Sequence, residues 1–309
     1  YSSATGVQDL PSSRPKDVGR GKGLVATCVD CHTTHDIRSP LDPASSIHQE
    51  NVTATCGQCH EGSHRQFAGY LTHATHHDRT KYPILYYTFW FMTILLVGTL
   101  SFAILHTLAW LYRLWRTKDK WIAHKNGGSG RYSRRFNATQ RIMHVVMIVS
   151  FFILALTGMA LKFSYMGWAV VLSRILGGFD TMGLLHRIGA VVLLGLFIYH
   201  LRQTWIAIRH SGKGIFGFIF DRNSLMFNLT DIRQVWQSIK WFFGRGPRPE
   251  YGRYTYWEKF DYFAVFWGMF VIGSTGLFLW FPEFFTLLLP GWLVNVATII
   301  HSDEALLAV

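Results

Sequence analysis

No cysteine follows Cys59. The four present fall into two pairs near the start of the 309-residue chain, Cys28-Val-Asp-Cys31-His32 and Cys56-Gly-Gln-Cys59-His60, so no disulfide framework can hold the remainder together. Charge is also scarce. Asp, Glu, Lys and Arg make up 16% of residues against 50% apolar and 16% aromatic, a balance that excludes an ordinary soluble domain and points to a membrane protein. The formal charge of +12 does not indicate a nucleic-acid partner, because the basic residues gather in the segments that join apolar runs. That placement is expected when cytoplasmic loops carry the Lys and Arg excess. The chain starts at Tyr1 with no Met or leader and stops at Val309 within an apolar run. Both ends read as trimmed, so the missing targeting signal excludes nothing.

Each cysteine pair is followed at once by histidine. This is the C-x-x-C-H pattern of covalent c-type haem attachment, in which both thiols form thioethers and the histidine takes one axial position. A structural zinc site could use four thiolates but would not require a histidine after each pair. Two covalent haem c groups are therefore expected, one on Cys28, Cys31 and His32 and one on Cys56, Cys59 and His60. Residues 1–80 are otherwise polar and too poor in apolar side chains to build a core without them. The segment also carries His35, His48, His64, His73, His76 and His77, a surplus that fits bis-histidine, electron-carrying iron. His48 and one of His73, His76 or His77 are the expected distal ligands, with His35 an alternative that could serve a neighbouring haem.

Residues 81–116 read as a first span, with Tyr82, Tyr86, Tyr87 and Trp90 at one end and Trp110, Tyr112 and Trp115 at the other. Such aromatic belts mark the two headgroup levels. The basic, Gly-rich stretch 117–135 reads as a cytoplasmic linker, which puts the haem c segment on the extracytoplasmic side. His106, without a spaced partner, reads as a packing histidine. A second span, about Asn137 to Phe163, carries His144 near its start, and Trp168 to Leu176 is an amphipathic piece suited to the membrane interface. The third span, Leu184 to Ile208, organises the rest. Its His186 and His200 are fourteen residues apart, which separates them by ~21 Å and returns them to nearly one face. A bilayer core is about 30 Å thick, so one histidine sits near each surface. Ionisable side chains at such depth usually mark a functional path, and imidazole is a good axial ligand for haem iron. Two stacked haem b groups are expected. Gly189 and Gly195 on this span read as helix-packing positions that could also admit a porphyrin edge. A basic cytoplasmic loop, 210–259, precedes a fourth span of about Phe260 to Phe281. A fifth begins near Pro290, carries His301 and reaches Val309 before a full crossing. The expected fold is an all-α membrane protein: a transmembrane helix bundle of about five spans with a small, haem-packed extracytoplasmic c-type cytochrome segment.

Residues 136–309 resemble the four-helix cytochrome b subunits of formate dehydrogenases and nickel-iron hydrogenases, and related proteins in which that unit is fused to multihaem cytochrome c. The resemblance rests on Arg141-x-x-His144, Leu185-His186-Arg187, Phe278-x-Trp280-x-Pro282 and Ile300-His301-Ser302. It implies two b haems and electron exchange with a quinone, menaquinone being the expected one, near the cytoplasmic side. Carried over, His186 and His301 would hold the outer haem, and His144 the inner one. The family's fourth ligand would lie about fourteen residues past His301, beyond this chain, whereas His200 is at the right depth within it.

Two classes of function follow. The first is an electron-transfer subunit of a bacterial or archaeal cytoplasmic membrane, joining the quinone pool to an extracytoplasmic redox subunit or multihaem cytochrome. The second is a multihaem enzyme reducing a small oxyanion at a five-coordinate c haem, against which the surplus of histidines weighs.

Overall fold

The structure, a computed structural model, describes residues 26–117, 137–221 and 224–309, and every regular element among them is helical. The linker expected at 117–135 falls outside the described residues from 118 onward, as do Phe136 and Arg222. In the polar N-terminal segment the helices are short: α1 Cys28–His32, α2 Val52–Gly57 and a 3-10 turn at Phe67–Gly69. The long helices are α3 Pro83–Arg116, α4 Ala138–Lys162, α6 Phe179–Ser211 and α9 Tyr256–Trp280. All four have the length and apolar character to cross a membrane. Shorter pieces lie between them and after them: α5 Gly167–Ile175, α7 Gly214–Ile219, α8 Leu229–Phe242, α10 Pro282–Phe285 and α11 Trp292–Ala308. Among the described residues four helices thus meet the length requirement, close to the expected number of about five spans. The 17 residues of α11 cover ~26 Å at about 1.5 Å each.

Local chemistry fixes the helix starts. Pro83 opens α3 at a position where its missing N–H costs no hydrogen bond. Asn137 caps α4 by accepting from Gln140 N at 2.8 Å, while the Gln140 side chain accepts from Asn137 N at 2.9 Å. Thr255 and Glu258 form the same reciprocal box at the start of α9.

The spans present most of their large apolar side chains to the surroundings, among them Phe91, Leu105, Phe152 and Val191. In water such a surface would be costly, and in lipid it is the required one. Where spans do meet, small residues let them approach. A Cβ on Gly189 would lie 3.2 Å from Leu154 Cγ, which places Gly189 in the α4–α6 contact. Gly195 has open space instead. The amphipathic α5 packs between the ends of these helices, around a small core of Ala160, Ala169 and Met182 with Leu172, Leu176 and Phe179. His106 is a packing residue: its Nε2 is hydrogen-bonded to the Tyr256 hydroxyl, and Trp110, Phe242 and Trp257 surround its ring. Nearby, the ammonium of Lys259 lies 2.9 Å from Asp231 Oδ1 and 3.0 Å from Oδ2, and both side chains are almost fully buried.

The chain divides into two compact units. The first takes in the described residues through Tyr70 and, from far along the sequence, Pro282–Trp292. The second comprises Leu71–Phe281 and Leu293–Val309, including every long helix.

Candidate functional site

In the first unit, Thr27 and Asp30 close a capping box that starts α1, with Asp30 Oδ2 accepting from Thr27 N at 2.6 Å and Thr27 Oγ1 at 2.7 Å. These bonds hold the Asp30 carboxyl below its ordinary range. Cys28 and Cys31 are thereby one helical turn apart, with His32 next to them. The second motif repeats the arrangement, as Cys59 N and His60 N both donate to Cys56 O. The loop between the motifs is held to both by Ser46, whose hydroxyl donates to Cys31 O and whose carbonyl accepts from Thr55 Oγ1 at 2.7 Å. Burial pushes the Cys31 and Cys56 thiols up, and the neighbouring thiols add to the shift in each case. None of the four cysteines is in a disulfide. Among the described residues no three His, Cys, Asp or Glu side chains come together as a zinc site requires. Cys-x-x-Cys-His on one turn is the geometry that thioether attachment needs, so the donor set fits haem c.

His48 lies in the same unit, half-buried, its Nδ1 accepting a long 3.4 Å bond from Glu50 N. His35 is exposed. His73, His76 and His77 belong to the second unit, on the segment leading into α3, where His76 stacks on Phe89 at 4.0 Å. His60 has a partner that spacing did not reveal. Its Nδ1 is 2.7 Å from Glu283 Oε1. The same turn binds His64, whose Nε2 donates to Glu283 O at 2.9 Å and lies 3.3 Å from the buried Thr286 hydroxyl.

In the second unit, His186 on α6 and His301 on α11 face each other with ring centroids 6.3 Å apart and planes at 75°. An imidazole nitrogen bonds a metal ion at about 2.0 Å, so two rings at this separation leave room for one haem iron that His186 and His301 would hold between them. The tautomers follow from the bonds behind the rings. Thr157 Oγ1 donates to Ile153 O at 2.6 Å, so at 3.0 Å from His186 Nδ1 it accepts. Thr275 Oγ1 likewise donates to Val271 O at 2.7 Å, and His301 Nδ1 donates to Ile272 O at 3.0 Å with Thr275 Oγ1 at 3.3 Å. Both Nδ1 atoms carry the hydrogen, and both Nε2 lone pairs remain for a metal. The residue after each threonine is glycine. A Cβ on Gly158 would lie 3.1 Å from His186 Cε1, and one on Gly276 only 2.9 Å from His301 Cε1. Two Thr-Gly pairs on different helices thus seat the two rings, a repeat present in the sequence but not singled out there.

The resemblance motifs meet around this pair. Arg187 lies over the Trp280 ring at 5.6 Å, and Lys162 Nζ reaches Asp303 Oδ1 at 2.5 Å and Ser302 Oγ at 3.1 Å. Towards the other end, His200 Nε2 is 2.8 Å from the Tyr262 hydroxyl, and His144 is exposed. No ring contact joins His144 to His200 among the described residues. On the same helix as His144, a shallow apolar groove is lined by Ala138, Arg141, Ile142, Val145 and Val146.

The family model for prokaryotic cytochrome b561 matches residues 135–309, more than half of the chain. The chain belongs to the prokaryotic cytochrome b561 family. Comparison with curated proteins and with solved structures returned no match. Membership makes this a membrane-embedded b-type cytochrome, and the residues around His186 and His301 fit its haem on their own geometry. The cytochrome b561 region contributes the paired histidines, the Thr-Gly pairs and the motif residues around them. The first span and the cysteine motifs lie outside it.

Proposed function

We propose that this chain is an electron conduit between the quinone pool and redox partners outside the membrane, with two b haems in the cytochrome b561 region and two covalent c haems on residues 28–60. The observation that carries the reading is the His186–His301 pair, with both Nδ1 atoms tied back and both Nε2 atoms left for iron. Haem b supplies reversible one-electron storage there, while the protein residues hold the ring orientation and keep the site dry. His144 would serve the second b haem, with His200 or a residue beyond Val309 opposite it. His32 and His60 would be the proximal c-haem ligands, and His48 and His73 the distal ones. The C-x-x-C-H turns support the covalent haems, and the basic connections on the His144 side support an extracytoplasmic c segment.

A quinone, menaquinone by the family resemblance, would exchange electrons near His144. The groove on the same helix is apolar enough for a quinone ring or its isoprenoid tail and has Arg141 at its edge for a carbonyl, and the Arg209 guanidinium over the Trp205 ring at 5.1 Å lies at the same helix end as His200. Reduced-minus-oxidised spectra of the purified protein test the whole reading. Both c and b bands without a high-spin feature are expected, with haem retained on the denatured polypeptide. A chain that carries b haem but loses all haem on denaturation overturns the c-haem half.

A further inference from the structure

We infer that Glu283 tunes the c haem carried by Cys56, Cys59 and His60, lowering its potential by holding a carboxylate on the rear nitrogen of its axial histidine. This rests on the haem c reading above. The contact is 2.7 Å from His60 Nδ1 to Glu283 Oε1, shorter than an average N–H···O bond and typical of a charged acceptor. In a C-x-x-C-H site the iron is bound through Nε2, so Nδ1 must carry the hydrogen and donate it. A carboxylate acceptor draws that hydrogen more strongly than a neutral carbonyl does. The imidazole then becomes a better donor to the metal, which favours the ferric state over the ferrous state. One electron enters and one leaves the iron whichever acceptor is present, and Glu283 changes only how readily it does so.

The position of Glu283 is held independently of His60. Its own carbonyl accepts from His64 Nε2, and the buried Thr286 hydroxyl donates to Pro282 O at 2.6 Å. Further along the same connection, a Cβ on Gly291 would lie 2.3 Å from Gln66 O and 2.6 Å from Tyr70 N, so the backbones touch where only glycine fits. A carboxylate on an otherwise mobile loop would sample many positions. This one is presented by a turn anchored at both ends to the segment that carries the motif. The connection between two helices of the cytochrome b561 region therefore supplies the electrostatic environment of a c haem encoded more than two hundred residues earlier.

The test is a potentiometric titration of the purified full-length holoprotein, following c and b bands separately, for wild type, Glu283→Gln, Glu283→Asp and Thr286→Val. Glu283→Gln is expected to raise the midpoint of one c haem by about tenfold or more in its ferric/ferrous ratio, equivalent to about 59 mV for one electron. The other c haem and the b haems stay where they were. Glu283→Asp, with a shorter reach, moves the same haem in the same direction by less and carries the test if the glutamine variant does not assemble. Thr286→Val loosens the turn that holds Glu283 but keeps the carboxylate, and is expected to move the same haem in the same direction by less than Glu283→Gln. Unchanged c potentials in both Glu283 variants, or an equal shift in Thr286→Val, overturn the inference. Haem staining of the denatured chains separates this from failure of the c-haem reading itself, in which no variant and not even wild type would stain.

Discussion

His186 and His301 face each other across 6.3 Å, and each is braced from behind by the threonine of a Thr-Gly pair on another helix. Replacing His301 with alanine should remove one b haem and leave the proposed covalent haems in place. The pyridine haemochrome b:c ratio checks this, and a variant that keeps full b content would move the ligand elsewhere.

The glycines make a sharper demand than the histidines. A methyl group at residue 276 would meet His301 Cε1 at 2.9 Å, closer than carbon atoms tolerate, and the histidine would have to turn. Gly276→Ala is therefore expected to change the ligand-field signature of one b haem, seen as a shifted low-spin signal in electron paramagnetic resonance, even where haem content is preserved. Gly183→Ala on α6, where nothing lies within 4 Å of the added carbon, is the control and should leave the spectrum as it was.

On the opposite end of the span, His144→Ala should slow haem b reduction by a menaquinol analogue by tenfold or more. The outer haem should still be reducible by a soluble reductant in that variant. Quinol kinetics indistinguishable from wild type would shift the quinone site to the other face of the membrane.

Lys259 and Asp231 are paired with side chains 2% and 3% exposed. Removing one member strands a buried charge, a loss of about 3–5 kcal/mol in comparable cases, whereas replacing both with apolar residues is often neutral. Lys259→Met should lower the detergent-solubilised melting temperature clearly more than the Lys259→Met, Asp231→Leu double variant. Equal losses in the two would mean that the pair is not coupled.

The long helices were legible because a bilayer imposes length and apolarity on every residue of a span, and those are properties of contiguous sequence. His186 stood out for the same reason, since imidazole is rare in such a run, and the structure sets its ring 6.3 Å from that of His301. Thr157 and Thr275 could not, because threonine and glycine in a span usually serve helix packing, and only the placement of the facing ring gives them a role. Glu283 was invisible in a different way: its partner His60 is 223 residues distant, and nothing in local spacing encodes such a contact. The segment expected at residues 1–80 rests on composition, and the first compact unit takes in Pro282–Trp292 as well as the described residues through Tyr70. Hydropathy does not report a unit assembled from two separated stretches.

That discontinuity has a consequence for biogenesis. Synthesis proceeds from the N-terminus, so the cysteine motifs emerge long before the ribosome reaches Gly291 and the turn that carries Glu283. The first unit is therefore complete only after most of the second has been made: a nascent chain arrested before Pro282 has all four thiols but lacks the piece that closes around Phe67–Gly69. Closure of the first unit is thereby a late event in synthesis, the docking of one eleven-residue connection.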